Sequence, residues 1–198
     1  MAYNYSNIPV VIAAGGDGSR IGGDKPNLAL DGTRLIDHTV RAAKFWSENI
    51  AIAAREGSQL ALQSNLDLLI DEEANGGPLS ALFSALQYAQ IKGAKHVLLI
   101  PCDMPFLPDD LLDRLQQEMG SYHVAMARSN GQVYPVCALW SMEAIKSITK
   151  YLDTGRRSLI GFAETLRVIF VDWSGIEPDP FFNINTLQDL KQAEAYFH

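Results

Sequence analysis

An α/β fold is the architecture this sequence predicts, and three observations carry it. Short apolar runs recur along the chain, amphipathic stretches of helical length separate most of them, and the first run opens into a glycine-rich loop. The predicted strands are Val10–Ala14, Asn49–Ala54, Leu66–Ile70, His96–Ile100, Tyr122–Ala127, Val133–Leu139 and Leu166–Val171. Helical periodicity marks Leu35–Trp46, Leu79–Lys92, Asp109–Met119 and Ser141–Leu152. Strands alternating with helices imply a largely parallel sheet covered on both faces. Ligands of such sheets bind beyond the carboxyl ends of the strands, where the glycine-rich loop emerges.

Local signals support the helix starts. Pro108 followed by Asp109 and Asp110 places proline and negative charge where a helix beginning favours both. Thr186 and Asp189 have the spacing of a capping box opening a last helix, whose apolar positions Leu187, Leu190, Ala193 and Phe197 share one face. Repeats, low-complexity tracts and linkers are absent from the sequence, although Ser174–Pro180 is a loop rich in glycine and proline. Alternation is less regular in the second half, so its topology is harder to read.

The 198 residues suit a single domain, 1–198, with 47% apolar and 20% charged residues. No apolar run reaches membrane-spanning length, and the N-terminus lacks the pattern of a secretory signal, so a cytoplasmic protein without a membrane partner is expected. A net charge of −7 argues against a nucleic-acid partner. It leaves room for an anionic ligand, because local cations can make a positive pocket in an acidic protein. Cys102 and Cys137 have no metal-ligand spacing and sit in apolar, strand-like contexts, so both are read as buried free thiols.

Residues 10–25, VVIAAGGDGSRIGGDK, carry the strongest functional signal. Gly15, Gly16 and Gly18 let the backbone approach a ligand and aim consecutive N–H groups at phosphate oxygens, and Arg20 and Lys25 supply cations. The loop is neither a Walker A sequence, lacking Gly-Lys-Ser/Thr, nor a G-x-G-x-x-G dinucleotide fingerprint. The spacing of Gly15, Gly16, Arg20, Gly22, Asp24 and Lys25 resembles the signature of the MobA-like nucleotidyltransferases, the molybdenum cofactor guanylyltransferases in particular.

Further blocks resemble the same family. Asp103 follows the apolar run His96–Ile100 in Pro-Cys-Asp-Met-Pro, a position suited to a hard carboxylate ligand and similar to the family's metal-binding aspartate. Asp71, followed by Gly77-Pro78-Leu79-Ser80, resembles the family's segment at the nucleotide site, with Glu72 and Glu73 read as solvated. Tyr134-Pro135 stands where the family has His-Pro before a strand, and Arg156-Arg157 looks like a pair that receives the anionic second substrate. Such an arginine pair is also common as solvated surface. Asn183-Ile-Asn185-Thr resembles the family's N-x-N-T; in an extended segment both asparagines point the same way, although turn asparagines before a helix are the alternative.

The resemblance spans residues 10–190 and implies a Rossmann-like three-layer nucleotidyltransferase fold with a mostly parallel mixed sheet. It implies GMP transfer from GTP to molybdopterin with release of pyrophosphate. Ala13, Ala14, Gly15, Gly16, Asp71, Lys25 and Asp103 would bind nucleotide, Arg20, Lys25 and Asp103 would act in catalysis, and Asp103 would hold Mg²⁺. Tyr134, Arg156, Arg157, Asn183 and Asn185 would receive the acceptor. Molybdoenzymes and other proteins of cofactor biosynthesis are further partners of this reading. One departure concerns base choice: Ala53 or Ala54 stands where the family has a base-contacting asparagine, and alanine offers no side-chain hydrogen bond to a purine edge. Cytidylyl transfer to the pterin, nucleotidyl transfer to a sugar or alditol phosphate, and a non-catalytic nucleotide-binding chaperone for the cofactor are the competing readings.

Overall fold

The computed structural model describes residues 7–15, 25–55, 60, 66–70 and 77–197. In chain order, β1 is Val10–Ala13, β2 Ala29–Leu30, β3 Thr33–Arg34, α1 Leu35–Trp46, β4 Ile50–Ala54 and β5 Asp67–Ile70. Then come α2 Pro78–Ile91, β6 His96–Pro101, α3 Leu111–Met119, β7 Val124–Ser129 and β8 Gln132–Ser141. The rest is α4 Ile145–Asp153, α5 Leu159–Ala163, β9 Val168–Asp172 and α6 Leu187–Glu194.

Among the described residues seven strands form one mixed sheet in the order β5-β4-β1-β6-β8-β7-β9. In it β8 runs against its neighbours β6 and β7, and the other pairings are parallel. β2 and β3 form a separate antiparallel pair. The strands are buried because both faces are covered, and alternate residues divide between the two faces. Val10 and Ile12 of β1 join Leu98 and Ile100 of β6 in a cluster with α1 and α3. Val11 joins Val97 and Leu99 in a second cluster with α2, α4 and α5. The result is the expected three-layer α/β arrangement.

Several predicted boundaries shift. The helix predicted from Ser141 begins as a 3₁₀ turn over Met142–Ala144, where the Ser141 Oγ accepts the Glu143 N–H, before α4 starts at Ile145. α3 starts at Leu111, so Pro108 and Asp109 precede the helix. The Thr186 capping box forms as predicted, with Thr186 Oγ1 accepting the Asp189 N–H and Asp189 returning the contact. The apolar stripe that follows is buried only at Ala193; Leu187 is 60% and Phe197 38% exposed. Cys102 and Cys137 are free and buried. Among the described residues no helix is long and apolar enough to cross a membrane.

β1 matters most for function. It pairs with β4 on one side and with β6 on the other, so successive connections leave it in opposite directions. Such a switch point opens a crevice at the carboxyl ends of the strands.

Candidate functional site

Two strand ends meet at this crevice. Ala13 of β1 lies in register with Pro101 of β6, and the Cys102 N–H donates to the Ala13 carbonyl at 3.1 Å. The Ala14 N–H is bonded to the Ala53 carbonyl at 2.8 Å, so the sheet continues to the edge of the glycine loop. Gly15 follows directly, and Asp103 lies two residues past the end of β6. Gly16, Arg20, Gly22, Asp24 and Asp71 lie outside the described residues.

Lys25 opens a 3₁₀ turn, Lys25–Asn27, and is 8% exposed. Its Nζ donates to Asp103 Oδ2 at 2.5 Å and to Asn185 Oδ1 at 2.8 Å, with Asn183 Oδ1 at 3.5 Å. One ammonium thus joins the end of the glycine-rich segment, the turn after β6 and the segment before α6. Removing one member of a buried ion pair typically costs about 3–5 kcal/mol, because the other charge is left uncompensated.

The asparagines are held in place by the segment around them. Ile184 is fully buried against Leu30, Leu35 and Ala193, and its N–H donates to the Asp103 carbonyl at 3.0 Å. With Ile184 turned into the core, the side chains before and after it both turn toward Lys25, as alternation in an extended segment requires. Asp189 Oδ2 accepts the N–H groups of Asn185 and Thr186 at 2.9 and 2.8 Å. Burial acts to raise the Asp189 pKa, but those hydrogen bonds and the Lys25 charge outweigh it and hold the carboxyl below its ordinary value.

Among the described residues Asp103 Oδ1 is buried without a hydrogen-bond partner, while Oδ2 takes the ammonium. An orphaned carboxylate oxygen fits a hard cation. Among the described residues no group of three or more His, Cys, Asp and Glu side chains gathers as a metal cage. A cation here would therefore draw its remaining oxygens from amides, water and phosphate, the usual mode of Mg²⁺.

Beside this cluster lies a cavity of about 420 Å³ whose wall includes Tyr134, Pro135, Asp179, Phe181, Asn183 and Asn185. Tyr134 stacks on Phe181 at 4.8 Å between ring centroids, and Phe181 meets the Trp173 ring edge-on at 5.5 Å. Burial, then the Asp179 charge, pushes the Tyr134 phenol above its ordinary pKa, so it stays protonated. Asp179 accepts from Ser129 Oγ, Asn130 Nδ2 and the Phe181 N–H at 3.0, 3.0 and 2.9 Å, fixing this wall to the turn between β7 and β8. Asp179 and Phe181 were not singled out in the sequence; the one available signal was their place in Asp-Pro-Phe-Phe, just ahead of the paired asparagines.

Other predicted residues lie elsewhere. Arg156 and Arg157 are exposed and do not line the cavity; Arg157 Nη1 donates to the carbonyls of Leu152 and Arg156, both at 2.9 Å. Ala53 and Ala54 are buried in β4.

Residues 10–168 match the MobA-like NTP transferase domain. A molybdenum cofactor guanylyltransferase of Pasteurella multocida (strain Pm70) is 36% identical over 185 residues, covering 91% of this chain and 96% of its own. Its counterpart of the same name in Acidiphilium cryptum is 34% identical, covering 96% and 95%. The crystal structure of molybdopterin-guanine dinucleotide biosynthesis protein A from Archaeoglobus fulgidus superposes with a TM-score of 0.78 at 23% identity, over 96% of this chain and 98% of that one. A 2-C-methyl-D-erythritol 4-phosphate cytidylyltransferase from Thermus thermophilus shares the fold at a TM-score of 0.71 and 17% identity, over 96% and 98%. With its matched domain reaching from β1 to the start of β9, and with guanylyltransferase relatives aligned along almost its whole length, the chain belongs to the MobA-like NTP transferase family.

Proposed function

We propose that this chain is a molybdenum cofactor guanylyltransferase, transferring GMP from GTP to molybdopterin with release of pyrophosphate. The observation that carries the reading is the convergence of Lys25, Asp103 and Asn185 at the switch point of the sheet. The relatives named guanylyltransferase support the choice of nucleotide and acceptor. We take residues 1–198 as one nucleotidyltransferase domain acting in the cytoplasm, with molybdoenzymes or other proteins of cofactor biosynthesis receiving the product.

In this reading a phosphate oxygen of molybdopterin attacks the α-phosphorus of GTP. A new oxygen–phosphorus bond forms, the bond to the oxygen bridging the α- and β-phosphates breaks, and pyrophosphate leaves with that electron pair. The attacking phosphate is already ionised at neutral pH, so no Ser-His or Cys-His pair is required. Catalysis then rests on alignment and charge neutralisation. Ala13 and Ala14, whose carbonyl and N–H respectively are held by the Cys102 N–H and the Ala53 carbonyl, would set the strand end from which Gly15 and Gly16 would bind the triphosphate, with Arg20 and Lys25 neutralising its charge. Asp103, with its orphaned oxygen, would hold Mg²⁺, which supplies Lewis-acid neutralisation of the phosphate oxygens when bound. Tyr134 and Phe181 give the acceptor a flat wall, and Asn183 and Asn185 stand between that wall and Lys25. Arg156 and Arg157 are exposed and do not line the cavity, so this proposal gives them no contact with the attacking phosphate.

The test is pyrophosphate release with Mg²⁺ and each of GTP, CTP, ATP and UTP, with and without molybdopterin. Release with GTP and pterin together is expected. A preference for CTP would instead make the enzyme a cytidylyltransferase, the outcome that Ala53 and Ala54 leave open by offering the base no polar side chain. Silence with all four nucleotides would overturn the reading.

A further inference from the structure

Apart from Asp103 Oδ1, the oxygens that suit a divalent cation in this site are already on a cation of the chain's own. Asp103 Oδ2 and Asn185 Oδ1 both accept from the Lys25 ammonium, at 2.5 and 2.8 Å, and Asn183 Oδ1 stands at 3.5 Å. An ammonium offers three donors and no acceptor, so it asks of its surroundings what a hard metal ion asks: oxygen lone pairs. At 8% exposure Lys25 has little water around it to screen a second positive charge brought to the same carboxylate. Ammonium and divalent ion therefore compete for Asp103.

We propose that Lys25 is the resident cation of this site, holding Asp103 and Asn185 until a nucleoside triphosphate draws the ammonium onto its phosphates, so that the divalent ion enters with the nucleotide and not before it. This rests on the reading of Asp103 as metal ligand given above. It adds an order of binding and a gating role for the lysine.

Three features make the exchange workable. The lysine stem is long and flexible, so the ammonium moves without its backbone, whose carbonyl stays bonded to the Leu28 N–H at 3.2 Å. The Asp103 carbonyl is tied to the Ile184 N–H, and Ile184 is anchored in the core, so the oxygen cradle persists after the ammonium leaves. Asp103 Oδ1, buried and without a partner among the described residues, gives the incoming ion a first oxygen that the lysine does not occupy. Lys25 thereby keeps a buried carboxylate neutralised in the empty enzyme, and metal affinity is coupled to nucleotide affinity in both directions.

The experiment is titration of the full chain with Mn²⁺, followed by the electron paramagnetic resonance signal of the free ion, with and without the α,β-methylene analogue of GTP. For the unaltered chain, Mn²⁺ affinity should rise by about tenfold or more when the analogue is present. Lys25→Met should bind Mn²⁺ about tenfold or more tightly than the unaltered chain in the absence of nucleotide, a gain that a purely structural lysine would not give. Adding Asp103→Asn to Lys25→Met should abolish that gain. Equal nucleotide-free affinity in Lys25→Met and the unaltered chain would overturn the proposal. Should Lys25→Met fail to fold, Lys25→Gln, which keeps an amide donor and loses the charge, reads the same comparison. The Lys25→Met arm needs no acceptor and no turnover, so a gain in Mn²⁺ affinity there, with no binding of the GTP analogue by the unaltered chain, would sink the guanylyl reading and leave the competition between ammonium and metal ion for Asp103 standing.

Discussion

The backbone N–H of Ile184 donates to the carbonyl of Asp103 at 3.0 Å, joining the segment before the last helix to the turn after β6 across 81 positions of sequence. Because Ile184 is fully buried, this bond fixes how far Asn183 and Asn185 stand from the Asp103 carboxylate. The two halves of the site are thereby built on one rigid strut, the arrangement that electrostatic catalysis requires.

Charge balance in that strut has a measurable signature. Asp103→Asn should reduce turnover by roughly 10²–10³-fold, the scale of losing one electrostatic stabiliser of a transition state. It should also lower stability by about 3 kcal/mol, since the Lys25 ammonium is left buried opposite a neutral amide. Adding Lys25→Met should restore most of that stability and none of the activity. Denaturant unfolding of the two single variants and the double variant checks this; additive losses would mean that the pair is not energetically coupled.

The stacked wall of the cavity separates packing from chemistry. Tyr134 is 9% exposed and lies on Phe181, so Tyr134→Ala should cost about 3–5 kcal/mol and raise the acceptor KM. Tyr134→Phe keeps the ring and should retain both stability and acceptor KM within about twofold, a change of less than about 0.5 kcal/mol. A large KM effect in Tyr134→Phe would instead place the hydroxyl, and not the ring, on the acceptor.

Much of the fold was legible because alternation of buried strands and amphipathic helices is strong in the first half: Val10–Ala13, Ile50–Ala54 and His96–Pro101 are strands where apolar runs predicted them. β8 was also predicted as a strand, Val133–Leu139, but its antiparallel direction was not read from the residues, although the sequence holds its signal. Asn130 and Gly131 have φ of 48° and 82°, the left-handed pair that closes a two-residue hairpin between β7 and β8. In the site, period two correctly put Asn183 and Asn185 on one side, yet it could not say which partner they would meet. Their oxygens face Lys25 as well as the cavity assigned to the acceptor, because Ile184 is pinned to Asp103, a long-range contact that no local pattern encodes. The arginine pair was ambiguous for the opposite reason: residue type suggested anion binding, while placement depends on a turn whose carbonyls occupy Arg157.

Both cysteines should be chemically inert in the folded protein. Burial pushes the Cys102 thiol well above its ordinary value, with the Asp103 charge adding to the effect, and the same two causes raise Cys137. Since the thiolate is the nucleophile, iodoacetamide at neutral pH should label neither residue in native protein and both in denaturant, as read by intact mass. Rapid native labelling of Cys102 would show that the turn carrying Asp103 opens to solvent.

Acid should loosen the asparagine segment through Asp189. Its folded pKa lies below the ordinary 3.8, so its contribution to stability is fully present above that value and is lost as pH falls through the lowered folded value. Asp172 is also held low, by hydrogen bonds from Ser174 and then by Arg128, and titrates in the same region, so the Asp189 part must be read as a difference. Thermal unfolding of the unaltered chain and of Asp189→Asn should differ most near neutral pH, by about 1 kcal/mol for a helix cap, and the two curves should converge at the acid end. Convergence is expected because a protonated Asp189 and an asparagine are both neutral, and neither gives the N–H groups of Asn185 and Thr186 a charged acceptor. A gap that stays constant as pH falls would mean that the carboxylate's charge contributes nothing to holding this segment beside Lys25.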